Sequence, residues 1–383
     1  MKKILRSLVA SFLAVLARII LWKYRPTIVM VTGSVGKTST KDAVAAALSH
    51  GHLLRASEKS YNSEFGVPLT IIGAKNPWEN PGAWIRVIEE ALALIILPNH
   101  YPKMLVLEVG ADSPGDLARI LSIATPDAVV VTRLPDIPVH VEAYASPAAV
   151  REEEFQPAYA LSAGSPLIIS ADDTYACTMA KRLDANVVTV GYSTDADVVI
   201  GTPHFKNGGM HATVTYGEHH YQLEAKGALG RTQLYAPAMA LALATSLHMS
   251  VTDALQGLTS YAPPPGRART LKGKRGSTII DDSYNASPAA VEEALSSLTF
   301  VPGGRYIVAI GDMLELGRYS MQEHERIGVL VGKSADMVVT VGERSEALRL
   351  SAIRAGIPEE HALGFATSQK RLTPYRSAYR REM

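Results

Sequence analysis

The residues Gly33-Ser34-Val35-Gly36-Lys37-Thr38-Ser39 combine the groups needed to hold the phosphates of a nucleotide. Glycines let the backbone curl around an anion, and a helix start adds unpaired N–H groups and a favourable dipole. Lys37 supplies a positive charge for the β- and γ-phosphates, and the Thr38 hydroxyl suits Mg²⁺. The commonest loop of this kind has its first glycine five residues before the glycine of Gly-Lys, where this chain has Val31. Here Gly33 lies three before Gly36 instead. A plain helix cap is the simpler alternative. The place of the loop, between an apolar strand-like run and a helix-forming run, favours phosphate binding.

A nucleotide site also needs a carboxylate for the metal. Glu108 ends the apolar run MLVLE, and strand tips converge on the ligand crevice of α/β sheets. A solvent-facing glutamate at a strand end is the bland alternative. His140, in PVHVEAY, follows a third apolar run; a lone histidine there is more often structural than a ligand. The cluster DDSYNASP, Asp281 to Pro288, offers two carboxylates, Tyr284 and Asn285 to a ribose or an adenine. Its Ser287 and Pro288 also read as the cap and first residue of a helix. A second polar loop, GDMLELG, carries Asp312 and Glu315.

The elements that must position these groups follow a regular order. TIVMVT, MLVLEVG, AVVVT, PLIIS and NVVTVG read as buried strands. Between them lie helical stretches, among them 37–48 and SPGDLARILSIA with a serine start signal. Such alternation predicts a mostly parallel sheet with helices on both faces. From about Asp195 to Leu229 the chain instead shows alternation and Gly-Gly and Tyr-Gly turns, a small antiparallel insert. An alanine-rich helix follows at 234–248 and a second helix near 253–260, then the stiff linker APPPGR. Beyond it STIIDDS, YIVAIGD and DMVVTVG read as strands and 288–298 and 322–333 as helices. The fold class is therefore α/β: a phosphate-loop domain over 26–264 and a smaller Rossmann-like α/β domain over 265–383, preceded by a hydrophobic helix over 1–25.

Composition narrows the function. With 383 residues and a net charge of +1, nothing in the bulk electrostatics points to nucleic acid. The single cysteine, Cys177, excludes an internal disulfide and fits a reducing, cytoplasmic setting. The run Ile4 to Trp22 is about as long as a minimal membrane span, but Arg6 and Arg18 interrupt it and Lys2, Lys3, Lys23 and Arg25 flank it. Leu5, Val9, Phe12, Leu16 and Ile19 recur at helical spacing. A helix packed on the next domain, a basic helix lying on an anionic membrane and a true span are all open.

Taken together, the motifs resemble those of the Mur ligase family. TGSVGKTST, YNSEFGVPLT, LEVGAD, HVEAYAS, PGR, DDSYNASP and GDMLELG stand in that family's order, over about Pro26 to Gly342. DDSYNASP with GDMLELG resembles the branch that adds D-alanyl-D-alanine rather than glutamate. The resemblance implies an ATP-dependent amide ligase of peptidoglycan synthesis that activates a muramyl-peptide carboxylate as an acyl phosphate. It implies ATP and Mg²⁺, with Lys37 on the phosphates and Thr38, Glu108 and His140 on the metal. By the same resemblance Gly33, Ser34, Val35, Gly36, Ser39, Arg267, Asp282 and Asn285 contact the nucleotide. Asn62 and Gly66 lie in the substrate loop, and the enzyme is expected to be a monomer. A folylpolyglutamate-type ligase and a non-catalytic ATP-binding homologue are the alternatives.

The chain departs from the family pattern in four places. Glu154 stands where a CO₂-modified lysine is usual. It is open whether it serves a second Mg²⁺, marks the loss of that metal, or belongs to an acidic helix face with Glu152 and Glu153. Thr232, Gln233 and Ala236 replace polar residues of the family's adenine segment. The stretch before the phosphate loop reads as a single helix in place of the family's usual N-terminal domain, and the end SQKRLTPYRSAYRREM reads as a shortened C-terminal domain.

Overall fold

The computed structural model describes residues 2–58, 61–77, 80–301 and 303–367. The basic end that begins at Ser368 lies outside the described residues.

The N-terminal part runs α1 (Lys2–Tyr24), β1 (Thr27–Thr32), α2 (Lys37–Ser49), β2 (Leu54–Ala56), α3 (Gly66–Ile72), α4 (Pro81–Ile96), β3 (Met104–Glu108), α5 (Asp116–Leu121) and β4 (Ala128–Val131). It continues with α6 (Pro147–Tyr159), β5 (Pro166–Ser170), α7 (Thr174–Ala180), β6 (Asn186–Gly191), β7 (Val198–Ile200), β8 (His204–Lys206), β9 (Gly209–Tyr216), β10 (His219–Ala225), α8 (Tyr235–Ser246) and α9 (Val251–Leu258). The strands form one sheet in the order β10-β9-β7-β6-β5-β4-β1-β3-β2, with β8 on β9. From β2 to β7 neighbouring strands are parallel. β8, β9 and β10 are antiparallel. The insert expected over 195–229 is thus the antiparallel end of the main sheet: β7 continues the parallel ladder and hands it to β9.

β1 shows why the sheet is buried on both faces. Val29 and Val31 enter one core, beneath α2, α8 and α9, while Ile28 and Met30 enter the other, with α1, α3 and α4. Side chains alternate across a strand, so a central parallel strand must be apolar throughout. The strand order reverses direction between β1 and β4, and ligands bind at the strand tips beside such a switch point.

Local caps start several helices, and the sequence reading names the one at Ser287. Ser287 accepts from the Ala290 amide ahead of Pro288, and Asn80 accepts from the Gly82 and Ala83 amides ahead of Pro81. α5 has no local cap. It begins at Asp116 behind a left-handed Gly115, and its cap comes from another helix. The Glu153 carboxylate of α6 accepts the Gly115 and Leu117 amides at 3.0 and 3.1 Å. A cap supplied across space leaves no local sequence signal.

α1 packs inward through Leu13, Leu16, Ala17 and Ile20. The apolar stripe expected there is therefore out of register: Phe12 and Ile19 face outward.

The C-terminal part comprises β11 (Arg269–Lys272), β12 (Thr278–Asp281), α10 (Pro288–Ser297), β13 (Ile307–Gly311), α11 (Ser320–Ser334), β14 (Met337–Val341), α12 (Ser345–Arg354) and β15 (Ala362–Phe365). β13, β14 and β15 make a small parallel sheet with its own core. The β11–β12 hairpin is sewn to the first part. Leu229 donates to the Ala268 carbonyl and Thr270 to the Gly227 carbonyl, each at 2.9 Å. Ile280 of β12 packs against the core under α8.

Candidate active site

After β1 the chain turns through Gly33 and Gly36, at φ 115° and 91°. A Cβ on Gly33 would lie 2.9 Å from the Thr132 carbonyl oxygen, so only glycine lets the loop approach β4 this closely. α2 opens behind left-handed Gly36 with no side-chain cap. Its first amides are left for an anion. Ser39 is buried in the first turn. Ser34 and Val35 donate their amides to the Arg133 carbonyl at 3.0 and 3.2 Å, which pins the loop to the end of β4.

Lys37 is folded back over the loop. Its ammonium donates to the Gly33 carbonyl and lies 3.6 Å from Oε1 of Glu154. Glu154, on α6, is buried; its Oε2 accepts from the Ser34 hydroxyl, and its backbone carbonyl accepts from the Thr32 hydroxyl at 2.6 Å. Oε1 has no hydrogen-bond partner. The acidic helix face considered for 152–154 is not formed. Glu154 enters the loop, Glu153 caps α5, and only Glu152 is exposed, accepting from the Tyr175 hydroxyl at 2.9 Å.

Glu108 sits at the tip of β3, beside β1, and is 1% exposed. The Thr38 hydroxyl donates to its Oε1 at 3.2 Å, and its Oε2 has no hydrogen-bond partner. Burial pushes this carboxyl above its ordinary range, against the opposing pull of Lys37, Lys41, Thr38 and Arg267. A buried bare carboxylate oxygen beside a hydroxyl fits a hard divalent cation. Among the described residues, no three His, Cys, Asp or Glu side chains gather as a metal site. A cation on Thr38 and Glu108 would therefore take its other ligands from water and phosphate, as Mg²⁺ commonly does.

His140 has a left-handed backbone, φ 65°. Its Nδ1 lies 2.9 Å from the Glu315 carboxylate and its Nε2 3.6 Å from Asp112. It thus bridges the GDMLELG loop of the second domain and the segment after β3. Asn62 stands next to Lys37: a Cβ on Gly110 would meet Asn62 Nδ2 at 3.1 Å and Lys37 Cε at 3.4 Å. Gly66 is buried against the Tyr61 backbone, where a Cβ would lie 2.6 Å from Cα, a packing requirement. The Arg267 guanidinium stacks 4.1 Å over the Tyr284 ring. Asp282 accepts the Ala268 amide at 3.0 Å, and burial raises its carboxyl. Asn285 is exposed in the loop before α10.

Beside the phosphate loop a cleft of about 560 Å³ opens between the domains. Val35, Gly36 and Ser39 form one wall, Thr232, Gln233 and Ala236 another, and Glu293 of α10 lines it from the second domain. Two residues there escaped the sequence reading. Arg133 pairs with Glu293 at 2.5 Å while its carbonyl holds the loop. Asp172 accepts the Tyr192 and Ser193 amides at 2.7 and 3.1 Å and the Tyr235 hydroxyl. Their only sequence signal is a polar residue just beyond a strand end.

Known proteins share this arrangement. The Mur ligase middle domain matches residues 31–244, and the Mur ligase glutamate ligase domain matches residues 266–378. The UDP-N-acetylmuramoyl-tripeptide–D-alanyl-D-alanine ligase of Mycobacterium tuberculosis (strain H37Rv) is 30% identical over 341 residues, 86% of this chain. That of Bacillus subtilis (strain 168) is 25% identical over 330 residues, again 86% of this chain. The chain spans 61% of the length of the first and 65% of the second. The crystal structure of MurF ligase from Thermotoga maritima in complex with ADP superposes with a TM-score of 0.75 at 24% identity, covering 97% of this chain and 84% of that one. With one family domain over the main sheet and a second over the C-terminal fold, the chain belongs to the Mur ligase family.

Proposed function

We propose that the chain is an ATP-dependent amide ligase that joins D-alanyl-D-alanine to a UDP-N-acetylmuramoyl-tripeptide in the cytoplasm. The carrying observation is the set Lys37, Thr38 and Glu108 just beyond the tip of β1 and at the tip of β3, with the adjoining Gly36 and Ser39 lining a cleft walled by both domains. The names of the relatives supply the substrate class.

In this reading the terminal carboxylate of the tripeptide attacks the γ-phosphorus of ATP, giving an acyl phosphate and ADP. The amine of D-alanyl-D-alanine adds to the acyl carbon, the tetrahedral adduct expels phosphate, and the nitrogen loses a proton. Two anions must meet, so the chain has to supply positive charge where they do. Lys37 and the first amides of α2 do so from the loop, and Arg267 does so from beyond the linker. Mg²⁺ held by Thr38 and Glu108, and by His140 where the family resemblance puts a third ligand, would neutralise phosphate oxygens and polarise the transferred group. In this reading Asn62 orients the donor, and Asp282 and Asn285 contact the nucleotide from the second domain, roles that the family resemblance supports.

The test is phosphate release from ATP and Mg²⁺ with the tripeptide and D-alanyl-D-alanine, singly and together, with the product weighed by mass spectrometry. Release that needs both, with a pentapeptide product, is expected. Nucleotide binding without release under any combination would overturn the ligase reading.

A further inference from the structure

We infer that α1 lies flat in the interface of an anionic lipid bilayer, with its outer face toward the acyl chains. The inner face of the helix is already used, through Leu13, Leu16, Ala17 and Ile20. The outer face is apolar all the same: Leu8, Phe12, Val15, Ile19 and Trp22 are 63, 47, 43, 38 and 74% exposed. They recur every three or four residues, one stripe about 21 Å long. At its end the Lys23 ammonium donates to the carbonyls of Leu94, Ile95 and Leu97, joining the end of α1 to the end of α4, where Ile96 and Leu97 are also exposed. Earlier in α4, Ile85 and Leu92 are exposed as well, but Glu89 and Glu90 are exposed between them, so the stretch free of acidic side chains is α1 with the α4 terminus.

Charge selects the occupant. Residues 1–25 hold six basic side chains and no acidic one, leaving 32 basic against 37 acidic residues, −5, in the rest of the chain. Arg18 and Arg25 are exposed at the Trp22 end. A stripe of large apolar groups edged with cations, with a tryptophan at its end, matches an anionic headgroup layer. A second copy docking here would bring two such basic segments together at a repulsive cost. Among the described residues no helix is long and apolar enough to cross a membrane, so the helix lies on the surface.

The test uses the full chain with sedimented vesicles, either phosphatidylcholine alone or with about a third phosphatidylserine. Binding at least tenfold stronger to the anionic vesicles, weakened by salt, is expected. Phe12→Ser with Trp22→Ser should lower it tenfold or more, with the circular dichroism and ATP affinity of the vesicle-free protein unchanged. Arg18→Gln with Arg25→Gln should lower binding to anionic vesicles and leave the weak binding to neutral ones alone. No binding to anionic vesicles would overturn the inference, as would binding indifferent to both double variants. A dimer in light scattering that the Phe12/Trp22 variant dissociates would assign the face to a second copy instead. None of these outcomes depends on the ligase reading.

Discussion

Glu154→Gln probes the electrostatics of the phosphate cradle. The substitution keeps the volume and an acceptor for the Ser34 hydroxyl, but removes a buried charge 3.6 Å from the Lys37 ammonium. At an effective dielectric of about 20, a pair at that distance attracts by about 4–5 kcal/mol. Lys37 gives up part of that attraction to any phosphate it engages. A triphosphate seated on Lys37 also brings its own charges within roughly 6 Å of the same carboxylate, a repulsion of about 3 kcal/mol per charge pair. Both effects make the glutamate oppose a bare nucleotide. Discounting their sum about fourfold for relaxation and solvent leaves about 2 kcal/mol, roughly thirtyfold in affinity. Titration calorimetry with ATP in EDTA should therefore show Glu154→Gln binding about thirtyfold tighter than the parent. Equal dissociation constants for two folded proteins would refute the argument, because Glu154 would then lie outside the field felt by the phosphates.

Three further outcomes follow from the site. Lys37→Ala should abolish ATP turnover while its melting curve stays within a few degrees of the parent; turnover by the folded variant would remove Lys37 from the reaction. Gly33→Ala forces a side chain onto the Thr132 carbonyl at positive φ, a cost of about 1–3 kcal/mol, and should lower both the melting temperature and ATP affinity. Unchanged values would mean the loop has room it does not show. Asp282, raised by burial from its ordinary 3.8, binds more protons folded than unfolded, so its contribution to stability falls as pH rises from that value through the raised one. Asp282→Asn, which keeps an acceptor for the Ala268 amide, should lose that fall. Parallel melting-temperature profiles from about pH 4 to 7 would contradict it.

Much of this architecture is legible in the chain. TIVMVT is a strand residue for residue, because a strand buried on both faces leaves an unbroken apolar run. Ser287-Pro288 marks a helix start because cap and first turn are local chemistry. Other features depend on partners distant in sequence. For Glu154 the sequence leaves a metal role, a lost metal and an acidic helix face all open, since nothing in REEE tells which glutamate faces inward; in the fold it enters the phosphate loop. α5 starts where Glu153 arrives, and the inner face of α1 is chosen by α3 and α4. Arg133 acts partly through its carbonyl, which every residue type possesses.

The seam between 227–229 and 268–270 separates the covalent border of the domains from the mechanical one. The chain crosses over at APPPGR, but the hairpin that follows rides with the first domain, fastened by backbone hydrogen bonds and Ile280. A swing of the remaining C-terminal sheet and helices would take its fulcrum from the segment after β12, Asp282 to Ser287. That segment carries two of the candidate nucleotide contacts. A ligand gripping Asp282 or Asn285 would therefore act as a brake at the pivot itself, and binding would stiffen the joint directly, without a signal relayed from afar.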